Sequence, residues 1–144
     1  MWEFGSGNST LWWAKRAGSI TALEHHAGWY KNVQQMLQPY KSAKVEYVEL
    51  GPDYPAAILK STEAYDVVVI DGRMRVECAK SAIQRLSKKG VIVWDNTDRK
   101  KYEDGIKLLK EAGFKQIDFV GLVPIGNYLG QTSVFYKKEN VLGI

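Results

Sequence analysis

Apolar residues along the chain alternate between two patterns. Short runs read as strands: Trp2-Glu3-Phe4, Ser19-Ile20-Thr21-Ala22-Leu23, Lys44-Val45-Glu46-Tyr47-Val48-Glu49, Tyr65 to Asp71 and Val91-Ile92-Val93-Trp94. Between them lie helical spacings. A helix begins near Ser9, runs through Leu11 and Ala14 and is closed by Gly18, and Trp29, Val33, Met36 and Leu37 share one face of a second that ends at Pro39. Val76, Ala79, Ile83 and Leu86 predict a third that stops before Gly90. Tyr102, Ile106 and Leu109 predict a fourth, capped by Asp98, supported by a Glu103–Lys107 surface pair and closed by Gly113. Pro52 and Pro55 leave room only for a short helix over 56–60.

Strand and helix in alternation predict a parallel sheet with helices packed on it, and the unbroken apolar run Val67-Val68-Val69-Ile70 is what a strand covered on both faces needs. The strands predicted at 115–120 and 132–137 are joined by 121–131 without a helical pattern, which favours an antiparallel pair. No linker, repeat or low-complexity stretch interrupts the pattern, so residues 1–144 are expected to form one α/β domain.

Composition narrows the class. With 45% hydrophobic and 25% charged residues the chain is neither disordered nor collagen-like. The net charge of +4 is spread rather than clustered, so it does not point to a nucleic-acid partner. Cys78 is alone and is expected to be a buried, inert thiol in a reducing compartment, the cytoplasm. No apolar run approaches the roughly 20 residues of a bilayer crossing, and no membrane partner is expected.

The chemistry concentrates after the first strand. Gly5-Ser6-Gly7-Asn8-Ser9-Thr10 joins strand to helix, the glycines admit a ligand close to the backbone, and the helix start offers free N–H groups. Nineteen residues after Gly5 comes Glu24, at the tip of the second strand. An acid there is spaced to hold two ribose hydroxyls, which makes the whole unit a nucleoside seat. A dinucleotide seat would want a third glycine where Thr10 stands, which tilts the reading away from a pyrophosphate.

Glu3-Phe4-Gly5-Ser6-Gly7-Asn8-Ser9 resembles the first motif of the class I S-adenosylmethionine-dependent methyltransferases, and the resemblance continues through Glu24, Asp71, Asp95 and the final hairpin. It implies a Rossmann-like three-layer αβα sandwich, with strand order 3-2-1-4-5-7-6, that binds S-adenosylmethionine and passes a methyl group to a small-molecule acceptor. By that resemblance Gly5, Ser6, Gly7 and Ser9 would line the methionine part, with Glu3 near its amino group. Glu24 would hold the ribose, His25 would lie beside adenine, and Leu50 and Gly51 would sit near it.

Asp71 and the pair Asp95-Asn96 end two further strands on the same rim and are candidate catalytic residues, Asp71 also bordering the cofactor. A carboxylate fixed on the sulfonium would stabilise reactant over transition state, so Asp71 is expected to meet an ammonium, a substrate proton or a metal. The trio is similar to the magnesium ligands of catechol-type O-methyltransferases. Those enzymes place a lysine three residues after the first Asp, where this chain has Met74, and no metal is assigned here. Arg73 and Arg75 are read either as a hold for an anionic substrate or as a solvated helix start. The Asp/Asn-Pro-Pro-aromatic motif of amino-group methyltransferases acting on DNA and glutamine is replaced by Asp71-Gly72-Arg73-Met74.

Only Met1 and Trp2 precede Glu3, so the resemblance implies a member short at its N-terminus, whose cofactor cover comes from another subunit or whose transfer activity is lost. Trp12, Trp13 and Trp29 are candidate residues for a homo-oligomer interface. A nicotinamide-dependent oxidoreductase and a non-enzymatic nucleoside-binding or scaffold module are the alternatives.

Overall fold

The computed structural model describes residues 1–123 and 126–144. The chain runs β1 (Trp2–Phe4), α1 (Asn8–Ala14), β2 (Ile20–Glu24), α2 (Ala27–Leu37), β3 (Ala43–Tyr47) and α3 (Asp53–Ala56), the last extended by a 3₁₀ turn over Ala57–Lys60. It continues through β4 (Tyr65–Ile70), α4 (Arg75–Arg85), β5 (Leu86–Asp95), a 3₁₀ turn at Lys100–Tyr102, α5 (Glu103–Glu111), β6 (Lys115–Leu122) and β7 (Leu129–Tyr136).

The strands form one sheet of order β3-β2-β1-β4-β5-β7-β6. β1 to β5 are mutually parallel where they pair, and β7 enters antiparallel between β5 and β6. Short βα units bury both faces, which produces the three layers. One face carries Phe4, Tyr54, Ile58, Ile70, Cys78, Ile92, Trp94 and Leu109 in its core; the other carries Ala14, Ile20, Ala22, Val33, Leu37 and Val45. Cys78 is fully buried, and burial pushes its thiol far up, away from the reactive thiolate.

Register decides where the site lies. Phe4 is paired with both Leu23 and Ile70, and Ile70 with Trp94, so these four residues form one row across the sheet. Gly5, Glu24, Asp71 and Asp95 each come next along their strands. Four separate segments therefore deliver their candidate residues to one rim.

Several local expectations are corrected. Leu86 leaves the helix and starts β5, opposite Tyr65, with an irregularity before Val67 pairs Val91. Gly90 allows this, because a side chain there would collide with Leu86 and the Tyr65 carbonyl. Asp98 does not cap α5: its Oδ1 accepts from the Gln131 N–H at 3.3 Å, and the 3₁₀ turn starts the helix instead. Lys107 pairs with Glu111 at 3.9 Å rather than with Glu103. The short third helix begins earlier than expected, since Pro55 fits the first turn of a helix. β6 and β7 reach into the segment read as their connection, of which Pro124 and Ile125 lie outside the described residues.

Candidate functional site

The glycine turn is built around a buried acid. Glu3 is wholly buried between β1 and α1, and the Thr10 hydroxyl donates to its Oε2 while accepting from the Gly7 N–H at 2.9 Å. Burial pushes the Glu3 carboxyl from the ordinary 4.5 up to about 7, against the pull of the Thr10 and Ser9 hydroxyls. Glu3 thus positions the turn from beneath. The residue in the place of a third glycine, Thr10, is the pin between strand end and turn, a role that sequence reading missed.

Gly5 needs to be glycine. Its φ is +96°, and a Cβ would meet the Gly72 backbone at 2.9 Å, so the turns after β1 and β4 touch backbone to backbone. Gly7 lies under the Trp29 indole, whose Nε1–H donates to the Ser6 carbonyl at 2.9 Å. Helical spacing predicts a helix-face or interface residue at Trp29; in the structure it is a clasp on the glycine turn. Nothing in its helical spacing distinguishes the two, because the partner is a backbone carbonyl.

Glu24 ends β2 beside this turn. The His25 and His26 backbone N–H groups donate to its Oε1 at 2.9 and 2.8 Å, and Ser6 Oγ donates to Oε2 at 2.8 Å. Two fixed amides hold one oxygen of the buried carboxylate, and the other is held by one rotatable hydroxyl. His25 Nδ1 lies 3.2 Å from Glu24, and its ring stands edge-on to Tyr54 at a centroid distance of 6.1 Å. His26 caps α2, its Nδ1 accepting from the Trp29 N–H at 3.1 Å.

On the other side of the rim, Asp71 and Asp95 come together around an arginine, and Asn96 follows Asp95 with a left-handed φ of +59°. Arg75 is buried and donates from Nε to the Gly72 carbonyl at 2.9 Å, and from Nη2 to the Asp71 carbonyl at 3.1 Å and Asp71 Oδ1 at 3.0 Å. Its Nη1 donates to the Asp95 carbonyl and lies 3.5 Å from Asp95 Oδ2. Both sequence readings of Arg75, substrate hold and solvated helix start, are corrected: the side chain is buried, four of its N–H bonds donate to protein acceptors, and Nη1 also pairs with the Asp95 carboxylate. Helical spacing carries no signal for this pair, because Asp71 follows a strand and Arg75 only opens the next helix. Burial and the Asp95 carboxylate raise the Asp71 carboxyl to about 6, with Arg75 pulling it down. Asp95 Oδ1 also accepts from Thr132 Oγ1 at 2.7 Å.

These residues do not fit a divalent cation, because a guanidinium already sits between the two carboxylates. Among the described residues no group of three or more His, Cys, Asp or Glu side chains gathers as a metal site. Beyond Asp95 and Asn96 a groove of about 390 Å³ opens along the hairpin, lined by Phe119 to Val123, Gly130 and Thr132. Among the described residues no helix is long and apolar enough to cross a membrane.

Comparison with known proteins bears on the fold. The chain is similar to a precorrin-6y C5,15-methyltransferase from Geobacter metallireducens, with 17% identity over 95% of this chain and 79% of that one and a TM-score of 0.68. It is similar also to the N-methyltransferase NodS from Bradyrhizobium japonicum (14% identity, 94% and 84% covered, TM-score 0.67). The fold is that of the class I methyltransferases. A precorrin 8w decarboxylase from Methanobacterium thermoautotrophicum shares it as well (17% identity, 94% and 80% covered, TM-score 0.67). At such identities likeness fixes architecture and not the acceptor. No family model and no curated protein sequence matches the chain.

Proposed function

We propose that the chain is an S-adenosylmethionine-dependent methyltransferase acting on a small-molecule acceptor. The observation that carries this reading is the juxtaposition of Glu24 with the Gly5–Gly7 turn at the carboxyl rim of a sheet in methyltransferase order. The residues fit the nucleoside. Gly5 and Gly72 let the turns after β1 and β4 close on each other and so fix the loop beside Glu24, which needs only to exchange the Ser6 hydroxyl for a ribose hydroxyl. His25 would lie beside the base, and Ser6, Gly7 and Ser9 would line the methionine end.

The bound cofactor supplies an electrophilic sulfonium methyl; the chain supplies position. Holding two reactants in place contributes roughly 7–11 kcal/mol, so few acid or base groups are required. Asp95 and Asn96 line the groove proposed for the acceptor, and Asp71, joined to Asp95 through Arg75, would receive the proton that a hydroxyl or amine gives up. The groove along the hairpin is of the size of small-molecule sites, roughly 300–1,000 Å³, and its mouth at Asp95 and Asn96 supports the acceptor assignment.

The nicotinamide alternative loses ground on two counts. Thr10 replaces the third glycine, and β7 interrupts the 3-2-1-4-5-6 order of dinucleotide folds. A scaffold role is favoured by one observation, that Glu24 is already satisfied within the chain. Calorimetric titration separates the three. S-adenosylhomocysteine binds and NAD does not if the proposal holds; NAD binding supports the oxidoreductase, and silence from both supports the scaffold.

A further inference from the structure

We propose that the Arg75 guanidinium stands in for a divalent cation at the ends of β4 and β5, so that methyl transfer from this cleft needs no metal. The metal-free transfer rests on the proposed function; the substitution of one cation for another does not. Three observations carry it.

The first is saturation. A metal ion in such a place orients an acceptor by keeping coordination positions open to it. Arg75 keeps none, because its donors are directed at the Gly72, Asp71 and Asp95 carbonyls and at both carboxylates. The second is rigidity. Those carbonyls belong to the segments leaving two adjacent strands, so one side chain ties the ends of β4 and β5 together, and the Tyr102 ring lies 5.5 Å from the guanidinium. The third is backbone cost. Met74 and Asn96, the non-glycine residues with positive φ among those described (+49° and +59°), flank this arginine, one immediately before it and one after Asp95. Such conformations persist where surrounding structure holds them, and here the turn at Met74 directs Arg75 back to the strand ends.

Arg75 is therefore a positioning residue. It fixes Asp71 and Asp95 without touching the acceptor, and proton removal falls to the carboxylates rather than to a metal-bound oxygen.

The test is Mn²⁺ binding followed by electron paramagnetic resonance, with no nucleoside or acceptor present. The wild-type chain is expected to hold no Mn²⁺ on these carboxylates. Arg75→Ala, and Arg75→Met as the variant that keeps more of the apolar stem, should gain one site at least about tenfold tighter than wild type, and adding Asp71→Asn should remove it. A wild-type site that Asp71→Asn abolishes would overturn the proposal, as would a folded Arg75 variant that gains no Mn²⁺. The wild-type titration alone decides should both Arg75 variants fail to fold. Since no nucleoside is present, failure of the methyltransferase reading would show separately, in the titration with S-adenosylhomocysteine.

Discussion

Thr10 joins Glu3 to the glycine turn: one hydroxyl donates to the buried carboxyl and accepts from the Gly7 N–H at 2.9 Å. The end of β1 and the loop above it therefore move as one unit. Thr10→Val keeps the shape and removes both bonds, leaving Glu3 and Gly7 without this partner. The expected loss of stability is about 1–3 kcal/mol, read from the urea midpoint, and S-adenosylhomocysteine affinity should fall with it. An unchanged midpoint would mean that the hydroxyl is not the pin.

Glu3 also sets a pH dependence. Unfolded, its carboxyl titrates near 4.5; folded, burial raises it to about 7. Between those values the folded chain retains a proton that the unfolded chain has lost, so stability from this residue is complete below 4.5 and falls as pH rises through 7. At about 1.4 kcal/mol per unit the change amounts to about 3 kcal/mol. Glu3→Gln should remove that slope, so the variant gains on wild type between pH 4.5 and 8 in denaturant titrations. Parallel curves for the two proteins would place the titrating group elsewhere.

The contact between the two turns gives a third expectation. A Cβ on Gly72 would run into the Tyr54 hydroxyl and lie 2.9 Å from the Gly5 nitrogen. Gly72→Ala should cost about 1–3 kcal/mol, and Tyr54→Phe in the same chain should recover part of it by removing the nearest atom. Thermal melts of the single and double variants measure this directly. Full recovery would show that the backbone contact carries no strain.

Trp29→Phe retains an aromatic ring but loses the bond to the Ser6 carbonyl. The expected cost is about 0.5–1.5 kcal/mol, with faster amide exchange at Ser6 and Gly7. If exchange there is unaltered, Trp29 is only a helix-face residue.

Much of this architecture is legible before any coordinates. The period-two and helical runs locate the parallel strands, and in-register pairing of Phe4, Leu23, Ile70 and Trp94 then puts the residues that follow them on one rim. What sequence reading misses are relations across that rim. Arg75 opens a helix in a charged stretch and reads as solvated, yet the left-handed Met74 before it turns the side chain inward. Thr10 and Trp29 act on groups that adjacency does not reveal, a buried acid and a backbone carbonyl. Leu86 follows helical spacing into a strand because Gly90 leaves room for it.

Amide chemical-shift mapping with S-adenosylhomocysteine tests the central claim most directly. Saturable shifts are expected at Gly5, Ser6 and Gly7 and at His25 and His26, whose amides hold Glu24, and Glu24→Ala should abolish them. Saturating ligand that leaves those five amides unmoved, or that moves them equally in Glu24→Ala, would contradict it.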